Sequence, residues 1–397
     1  MTVGRLKVAV IADYLEEAWP SMDLVADMLV DHLRRDHAGA VDVVLIRPTM
    51  PRRFTRLPLP TGAGRTSMLD RAIARQWDYP RVLDGVRGRF DVYHVVDHTY
   101  AHLVHALPAD RSIVTCHDLD AFRSILQPND ERRSAPFRWM SARILAGLRK
   151  AAHVPCDSEA TRDALVALAG FPSDRLSVIP NGSETGGWPE SDAMANLEAA
   201  RLLGPRDGIE LLHVGSTIPR KRIDVLLDVF AAVRAERPDA RLVRVGGPFT
   251  AEQRVRAREL GLLDAIVVLP FVDRATLAAV YRRAALTLLP SEREGFGLPL
   301  VESLACGTPM VASDIPVLRE LGGDAVSYCP PGDIAQWAVE VLTLLVERER
   351  SPDRWRDRGR RGAARAAEFS WGQYAALLLE VYQAVAVGRP PVLEAVQ

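Results

Sequence analysis

Lysine is what this sequence most conspicuously lacks. Of 50 basic residues only Lys7, Lys150 and Lys221 are lysines, which leaves 50 − 3 = 47 arginines. Coding bias in a GC-rich genome accounts for such a skew and says nothing about fold, but it makes each lysine worth locating. Cysteine is scarce as well. Cys116, Cys156, Cys306 and Cys329 form no C-x-x-C pair and sit in or beside apolar runs, so buried free thiols in a reducing cytosol are expected. Net charge is −1, so no global field favours nucleic acid or a membrane surface. No apolar run approaches the roughly 20 residues that span a bilayer. Met1 to Lys7 leads straight into a short apolar strand, so no secretory leader is expected and the protein is placed in the cytoplasm. The zinc-protease pattern H-E-x-x-H does not occur. Neither does G-x-G-x-x-G: Val245-Gly246-Gly247-Pro248 has no acidic residue where a dinucleotide site needs one, which discounts a dehydrogenase.

What is there is a chain of 397 residues, 48% hydrophobic and 25% charged, long enough for two or three cores. Apolar runs of strand length alternate with stretches of helical period. Residues 6–11, 41–46, 92–96, 112–116 and 153–156 read as strands, with helices over 24–33, 135–149 and 159–169. Continuous apolar strands separated by helices predict parallel sheets covered on both faces. The pattern pauses in the turn-rich segment 181–189 and then restarts, with strands at 211–214, 241–245, 266–269, 286–289, 310–312 and 326–328. Three helices close the chain, near 333–348, 352–367 and 371–386. The expected fold class is therefore α/β, with two doubly wound domains facing a cleft: residues 1–185, and residues 205–370, with the helix of 371–390 returning to the first. Ligands of such sheets bind outside the carboxyl ends of the strands.

The most informative segment follows the strand 286–289 and runs from Pro290 through Glu294, Gly295, Phe296, Gly297, Leu298 and Pro299 to Glu302. Gly295 and Gly297 allow close approach of backbone to a ligand. Pro299 suits the first turn of a helix, whose free amides and dipole make an anion site. Glu294 and Glu302 beside that site call for a neutral group rich in donors, such as sugar hydroxyls. After the strand 211–214 comes Gly215-Ser216-Thr217-Ile218-Pro219-Arg220-Lys221-Arg222, three cations at the start of a helix expected from Arg222. That crowding is unfavourable unless an anion sits there, and a diphosphate would serve. A solvated basic turn is the plain alternative in so arginine-rich a chain.

His117-Asp118 ends a strand of the first domain. The histidine is either a cleft residue or one satisfied by a backbone carbonyl, and Asp118 is a candidate helix cap. His98, His102 and His105 share a helical face with His94 just before them. With no nearby cysteine and only Asp97 as a carboxylate, they read as partly exposed helix residues, and no metal is expected. Arg52, Arg53, Arg56 and Arg65 lie in a proline-rich loop that reads as solvated. An acidic acceptor or a peripheral membrane contact is the alternative there.

Together these motifs resemble glycosyltransferase family 4, a retaining GT-B group. The resemblance rests on Val214-Gly215 through Lys221, Pro290-Ser291, Glu294 through Glu302 with its Glu-x7-Glu spacing, and Ala305-Cys306-Gly307-Thr308-Pro309 with Ala312-Ser313 and Pro316. In the first half it rests on His117-Asp118, on Asp157 through Thr161, and on Val178 through Gly182. It implies a metal-independent hexosyltransferase with no cofactor beyond its nucleotide-sugar donor, a UDP-, GDP- or other NDP-sugar. The acceptor would be a small molecule, a glycan or a lipid-linked sugar, and nucleic acid is not a partner. It implies that Lys221 binds the donor diphosphate, with Gly215, Ser216 and Arg220 around it. Glu294 would touch the transferred sugar, and the amides of Phe296, Gly297 and Leu298 would hold sugar and phosphate. Glu302 would bind the ribose, the backbone of Phe271-Val272 would meet the base, and His117 would lie near the reacting sugar. Two departures stand out. Ser216 occupies a position where family members often carry arginine, and Asp13 through Ser21 replaces a Gly-Gly loop. Trp19 in that loop is either a stacking platform or a packing residue. A nucleotide-sugar-binding protein without transfer, or an epimerase on the same fold, are the other readings.

Overall fold

The computed structural model describes residues 4–55, 63–183, 192–205 and 208–391, with backbone only for 63–66. Arg56, the Arg65 side chain and most of the expected turn-rich break, residues 184–189, lie outside the described residues. The chain forms two compact units, Met1–Asn181 with Trp371–Gln397, and Gly182–Ser370.

In the first unit, strands β1 (Leu6–Ile11), β2 (Val41–Ile46), β3 (Val92–Val95) and β4 (Ser112–Val114) make a parallel sheet in the order β2-β1-β3-β4. Val8, Ala9, Val10 and Ile11 of β1 are all at most 1% exposed. Both faces are covered, which is why the strand reads as a continuous apolar run rather than an alternation. Strands β5 (Val154–Cys156) and β6 (Leu176–Val178) extend the sheet through bridges from Ile113 to His153 and from Cys116 to Cys156. β6 carries no apolar run of its own: it is three residues with a central Ser177, only its leading Leu176 is buried, and its pairing creates it.

The first long helix spans Pro20–Asp36, four residues earlier than expected, because Pro20 is tolerated in a first turn that needs no N–H. The helix Ala135–Lys150 lies against a 3-10 helix, His98–Ala106. Gly147 makes that approach possible, since a Cβ there would run into the Ala101 carbonyl. The closing helix Trp371–Ala386 packs on Pro20–Asp36 inside the first unit, and Tyr382 reaches His94 on β3 at 2.6 Å.

The second unit holds β7 (Ile209–Val214), β8 (Ala240–Val245), β9 (Ile266–Leu269), β10 (Leu286–Leu289), β11 (Met310–Ser313) and β12 (Ser327–Cys329). All are parallel, in the order β12-β11-β10-β7-β8-β9. Leu211, Leu242, Leu286 and Leu288 of the sheet are fully buried against helices carrying Phe230 and Trp337. From β7 the chain builds β8 and β9 on one side and then returns to place β10 on the other. Strand order therefore reverses between β7 and β10, which is where a doubly wound sheet opens a crevice at its carboxyl end. The equivalent reversal in the first unit lies between β1 and β3. Among the described residues no helix is long and apolar enough to cross a membrane.

Candidate functional site

The loops after β7 and β10 meet at that reversal. Behind β7, Gly215 adopts φ 153°, Pro219–Lys221 form one 3-10 turn, and Arg222, at φ 48°, precedes the helix Ile223–Glu236. Lys221 is 8% exposed and its Nζ lies 2.6 Å from Glu294 Oε1. The Ser291 hydroxyl donates to the same oxygen at 2.6 Å. Arg220 donates at 3.0 Å both to Glu294 Oε2 and to the Arg293 carbonyl, while the Glu292 amide donates to the Arg220 carbonyl at 2.8 Å. The Glu294 side chain is only 4% exposed. Burial pushes its carboxyl up, but the charges of Lys221 and Arg220 outweigh this and hold it below its usual range. Two carboxylates of the chain thus answer part of the three-cation turn. Glu294 serves Lys221 and Arg220, and Asp224 pairs with Arg222 at 2.8 Å. With two carboxylates to three cations, the crowding expected from sequence is relieved only in part, and one positive charge remains over.

Gly297, at φ 112°, is the N-cap of the helix Leu298–Ala305, with Pro299 in its first turn. The φ of Gly297 is what calls for glycine; a Cβ there would fall 2.9 Å from Leu318 Cδ2, the movable end of a side chain. Phe296 is buried, its ring edge-on to Phe369 with centroids 6.1 Å apart. The first amides of this helix have no intrahelical acceptor and carry the positive end of its dipole. One turn on, Glu302 Oε2 accepts from the Tyr281 hydroxyl at 2.9 Å. Burial raises the Glu302 carboxyl above its usual range, and Tyr281 and Arg274 offset that only in part. Phe271, 62% exposed, and half-buried Val272 follow β9 at the same end of the sheet. All the expected donor-side residues therefore belong to loops at one end of one sheet or to the helical turns that follow them.

In the first unit, His117 is buried with both ring nitrogens bonded: Nδ1 lies 2.9 Å from Asp157 Oδ2 and Nε2 is 2.8 Å from the Val96 carbonyl. A carbonyl only accepts, so Nε2 carries a proton. Asp157 Oδ2 also accepts from the Asn181 amide at 3.0 Å, which suits a carboxylate that receives a proton from Nδ1 as well. Burial opposes the charge, but Asp157 outweighs it and holds His117 up at about 9. Asp157 itself is pushed up by burial, which His117 only partly offsets. The hydrogen-bond pattern favours the ion pair. His117 thus has no free ring nitrogen with which to take a proton. Its folded value exceeds the ordinary 6.5, so its stabilising share is complete below about pH 6.5 and is lost as pH rises through about 9. The melting temperature is expected to fall across that window, and His117→Gln is expected to flatten the slope. An unchanged slope in the variant would overturn the charged pair.

The other histidines differ from expectation. His98 and His102 are 3% and 1% exposed, not partly exposed. Their helix is 3-10, so its three-residue repeat aligns 98 with 101 and 104, and 102 with 105, and the histidines do not share one face. His102 Nε2 lies 2.8 Å from the Arg75 carbonyl and His94 Nε2 2.7 Å from the Thr115 hydroxyl. Asp118 accepts from the Asp120 amide at 2.9 Å, opening the next 3-10 turn. Arg53 pairs with Asp78 at 2.6 Å, while Arg52 is exposed. The Asp13–Ser21 segment buries Asp13 and Glu17 and leaves Trp19 45% exposed. Burial, and then neighbouring Asp97, pushes the Asp13 carboxyl well up. Of the four thiols, Cys116, Cys156 and Cys329 are buried and Cys306 is half-buried; all are unpaired.

Sequence reasoning missed Ser291, Tyr281, Asp157 as the partner of His117, and Arg244. Ser291 stood three residues from Glu294 inside the strongest motif. Arg244 had its own signal, a charge between Val243 and Val245 at the end of a strand that also holds Arg241, masked by the abundance of arginine.

The family model described as "Glycosyl transferases group 1" matches residues 197–362, and "Glycosyltransferase Family 4" matches residues 20–186. The D-inositol 3-phosphate glycosyltransferase of Streptosporangium roseum is 32% identical over 316 residues, covering 74% of this chain and 69% of that protein. The enzyme of the same name from Segniliparus rotundus is 35% identical over 221 residues, 54% of this chain and 48% of its own length. Apart from the Streptosporangium match, the chain spans about half the length of these curated relatives. Among solved structures, sucrose-phosphate synthase from Thermosynechococcus elongatus superposes with a TM-score of 0.72 at 21% identity, covering 96% of this chain and 98% of that one. The Anabaena protein HepE, in complex with UDP and glucose, gives 0.69 at 17% identity, covering 96% and 100%. These likenesses show the GT-B fold. The two family models lie one on each α/β half, and the Streptosporangium relative spans both, so the chain belongs to glycosyltransferase family 4.

Proposed function

We propose that the protein is a retaining glycosyltransferase that moves a hexose from a nucleoside-diphosphate sugar to a hydroxyl acceptor without a metal ion. The observation that carries this reading is the Lys221–Glu294 pair beside the amino end of the helix Leu298–Ala305, with Glu302 one turn along it. Breaking a sugar–phosphate bond builds negative charge on the diphosphate and positive charge on the ring. Lys221 and the first-turn amides suit the former, and Glu294 suits the latter. Lys221 supplies charge that a divalent cation would otherwise bring, which supports metal independence. An attack from the face of the leaving phosphate needs no protein base, in keeping with a His117 whose ring nitrogens are both engaged. Glu302 suits the ribose hydroxyls, and the Phe271-Val272 backbone suits the base. The relatives named for D-inositol 3-phosphate, and the neighbour named sucrose-phosphate synthase, make phosphorylated polyols and sugars the first acceptors to try.

The test is to incubate the protein with UDP-, GDP- and ADP-sugars and an acceptor panel in excess EDTA, and to measure released nucleotide and the anomeric form of the product. Turnover with at least one donor is expected. In Lys221→Ala it should fall by about 10²-fold or more, the usual cost of deleting one charge-stabilising donor. Tight nucleotide binding with no turnover on any acceptor would favour a binding protein, and an epimerised sugar without acceptor would favour an epimerase. Full activity in Lys221→Ala would overturn the site.

A further inference from the structure

Burying an arginine without a counter-charge is costly. Arg244 is such a residue. It stands near the carboxyl end of β8, between β7 and the edge strand β9, with no solvent exposure. No carboxylate among the described residues pairs with it, and burial alone pulls its guanidinium down to about 10, so it is charged at neutral pH. Its hydrogen bonds go to loop carbonyls at the carboxyl ends of two adjacent strands. Nη2 donates to Gly215 after β7 at 2.8 Å, and Nη1 donates to Gly247 after β8. Nε has no partner, and the guanidinium carbon lies 5.3 Å from the centre of the Phe249 ring. Both accepting glycines have positive φ, 153° and 92°. His213, on β7 beside Gly215, is fully buried with neither ring nitrogen partnered. Burial, and then Arg244 and Lys221, hold it well below its usual range, so it adds no charge.

We infer that Arg244 is a positioning residue for the donor diphosphate, acting through Gly215 from beneath the turn that ends in Lys221. This rests on the donor site proposed above and names a further residue of it. Two effects follow from the geometry. The Gly215 carbonyl and the Ser216 amide share one trans peptide plane and point in opposite directions. Holding the carbonyl toward Arg244 therefore turns the Ser216 N–H away from it. The second effect is charge. Lys221 and Arg220 already share Glu294, whereas Arg244 has no carboxylate partner, so its field at the turn is matched only when an anion arrives. Ser216 brings no side-chain charge to the turn, and Arg244 supplies one from the neighbouring strand.

The experiment compares affinities of UDP, GDP, ADP and their nucleosides for the wild-type chain and for Arg244→Met, Arg244→Gln and Arg244→Lys, with melting temperatures recorded alongside. Arg244→Met is expected to weaken the preferred diphosphate at least 10-fold and its nucleoside less than 2-fold. Arg244→Lys, which keeps the charge, should recover part of that loss. Arg244→Gln keeps a donor without the charge and decides the matter if the Met variant does not fold. Unchanged diphosphate affinity in Met or Gln overturns the inference. So does an equal loss for diphosphate and nucleoside, which would mark a purely structural role. A wild-type chain that binds none of UDP, GDP and ADP overturns the donor site itself.

Discussion

Glu294→Gln is expected to lower sugar transfer by about 10²–10³-fold, the scale seen when one preorganised electrostatic group is removed from a transition state, while affinity for the bare nucleoside diphosphate is kept or improves. The two directions follow from one contact. In the chain without donor, Glu294 holds Lys221 at 2.6 Å and Arg220 at 3.0 Å. An incoming diphosphate must compete with that carboxylate for the same ammonium. A neutral amide of the same size removes the competitor, so phosphate binding does not suffer. What is lost is the negative charge beside a sugar ring that becomes positive as its bond to phosphate breaks. Removing one member of a buried ion pair also destabilises, by up to about 3–5 kcal/mol when fully buried, and the half-buried Arg220 places this case below that limit. Transfer rate, diphosphate affinity and melting temperature measured on one preparation separate these effects. Wild-type transfer, or a parallel loss of diphosphate affinity, would contradict the assignment.

The second large effect is expected from Gly246→Ala. Gly246 adopts φ 124°, and a Cβ there would land deep inside the Gly215 carbonyl. The obstacle is backbone, so no side-chain rotation relieves it. β7 and β8 are paired to their last residues, Val214 with Val245, so the two loops leave the sheet already in contact. A β-carbon there forces the Gly215 turn, and Lys221 six residues later, out of place. Neighbouring Gly247 is the control. It too has positive φ, 92°, but nothing lies within 4 Å of its missing Cβ. Gly247→Ala should cost about 1–3 kcal/mol of backbone strain and little else. Gly246→Ala should melt lower still and lose donor affinity by more than 10-fold. Equal behaviour of the two variants would mean that the close crossing of the loops is unimportant to the site.

Much of the architecture was legible because it is local. β1, β2, β9 and β10 fall on the residues expected of them: β1 and β10 are largely buried apolar runs, while β2 and β9 keep a largely apolar, β-branched sequence although each leaves one or more residues exposed. The helix Glu159–Ala169 also falls where expected, opening on Ser158, whose hydroxyl accepts from the Thr161 amide at 3.1 Å, and closing on Gly170 at φ 65°. The helix at 298 was readable from Gly297 and Pro299, whose conformational preferences act on the residues next to them. β6 was not readable, because three residues gain strand geometry only from the neighbour they pair with. The histidine cluster was misread because a 3.6-residue period was assumed where the backbone runs at three.

The amino-acid sequence by itself therefore determined two α/β halves, the boundaries of most of their strands within a few residues, and a glycine-bounded loop with Glu294 and Glu302 at a helix start. Periodicity, capping and glycine conformations are properties of short stretches, and a sequence states them directly. The tertiary structure alone decided which charges meet. Lys221 and Glu294 are 73 residues apart, His117 and Asp157 are 40 apart, and Arg244 reaches Gly215 across 29. Those pairings depend on strand order, with β7 set between β10 and β8, and no local pattern encodes strand order. The fold set Glu294 and Asp224 against a run of three cations, which relieves part of the crowding that seemed to need an outside anion. It left a further unmatched charge on Arg244, near the end of β8, because burial removes both solvent and carboxylate from its reach.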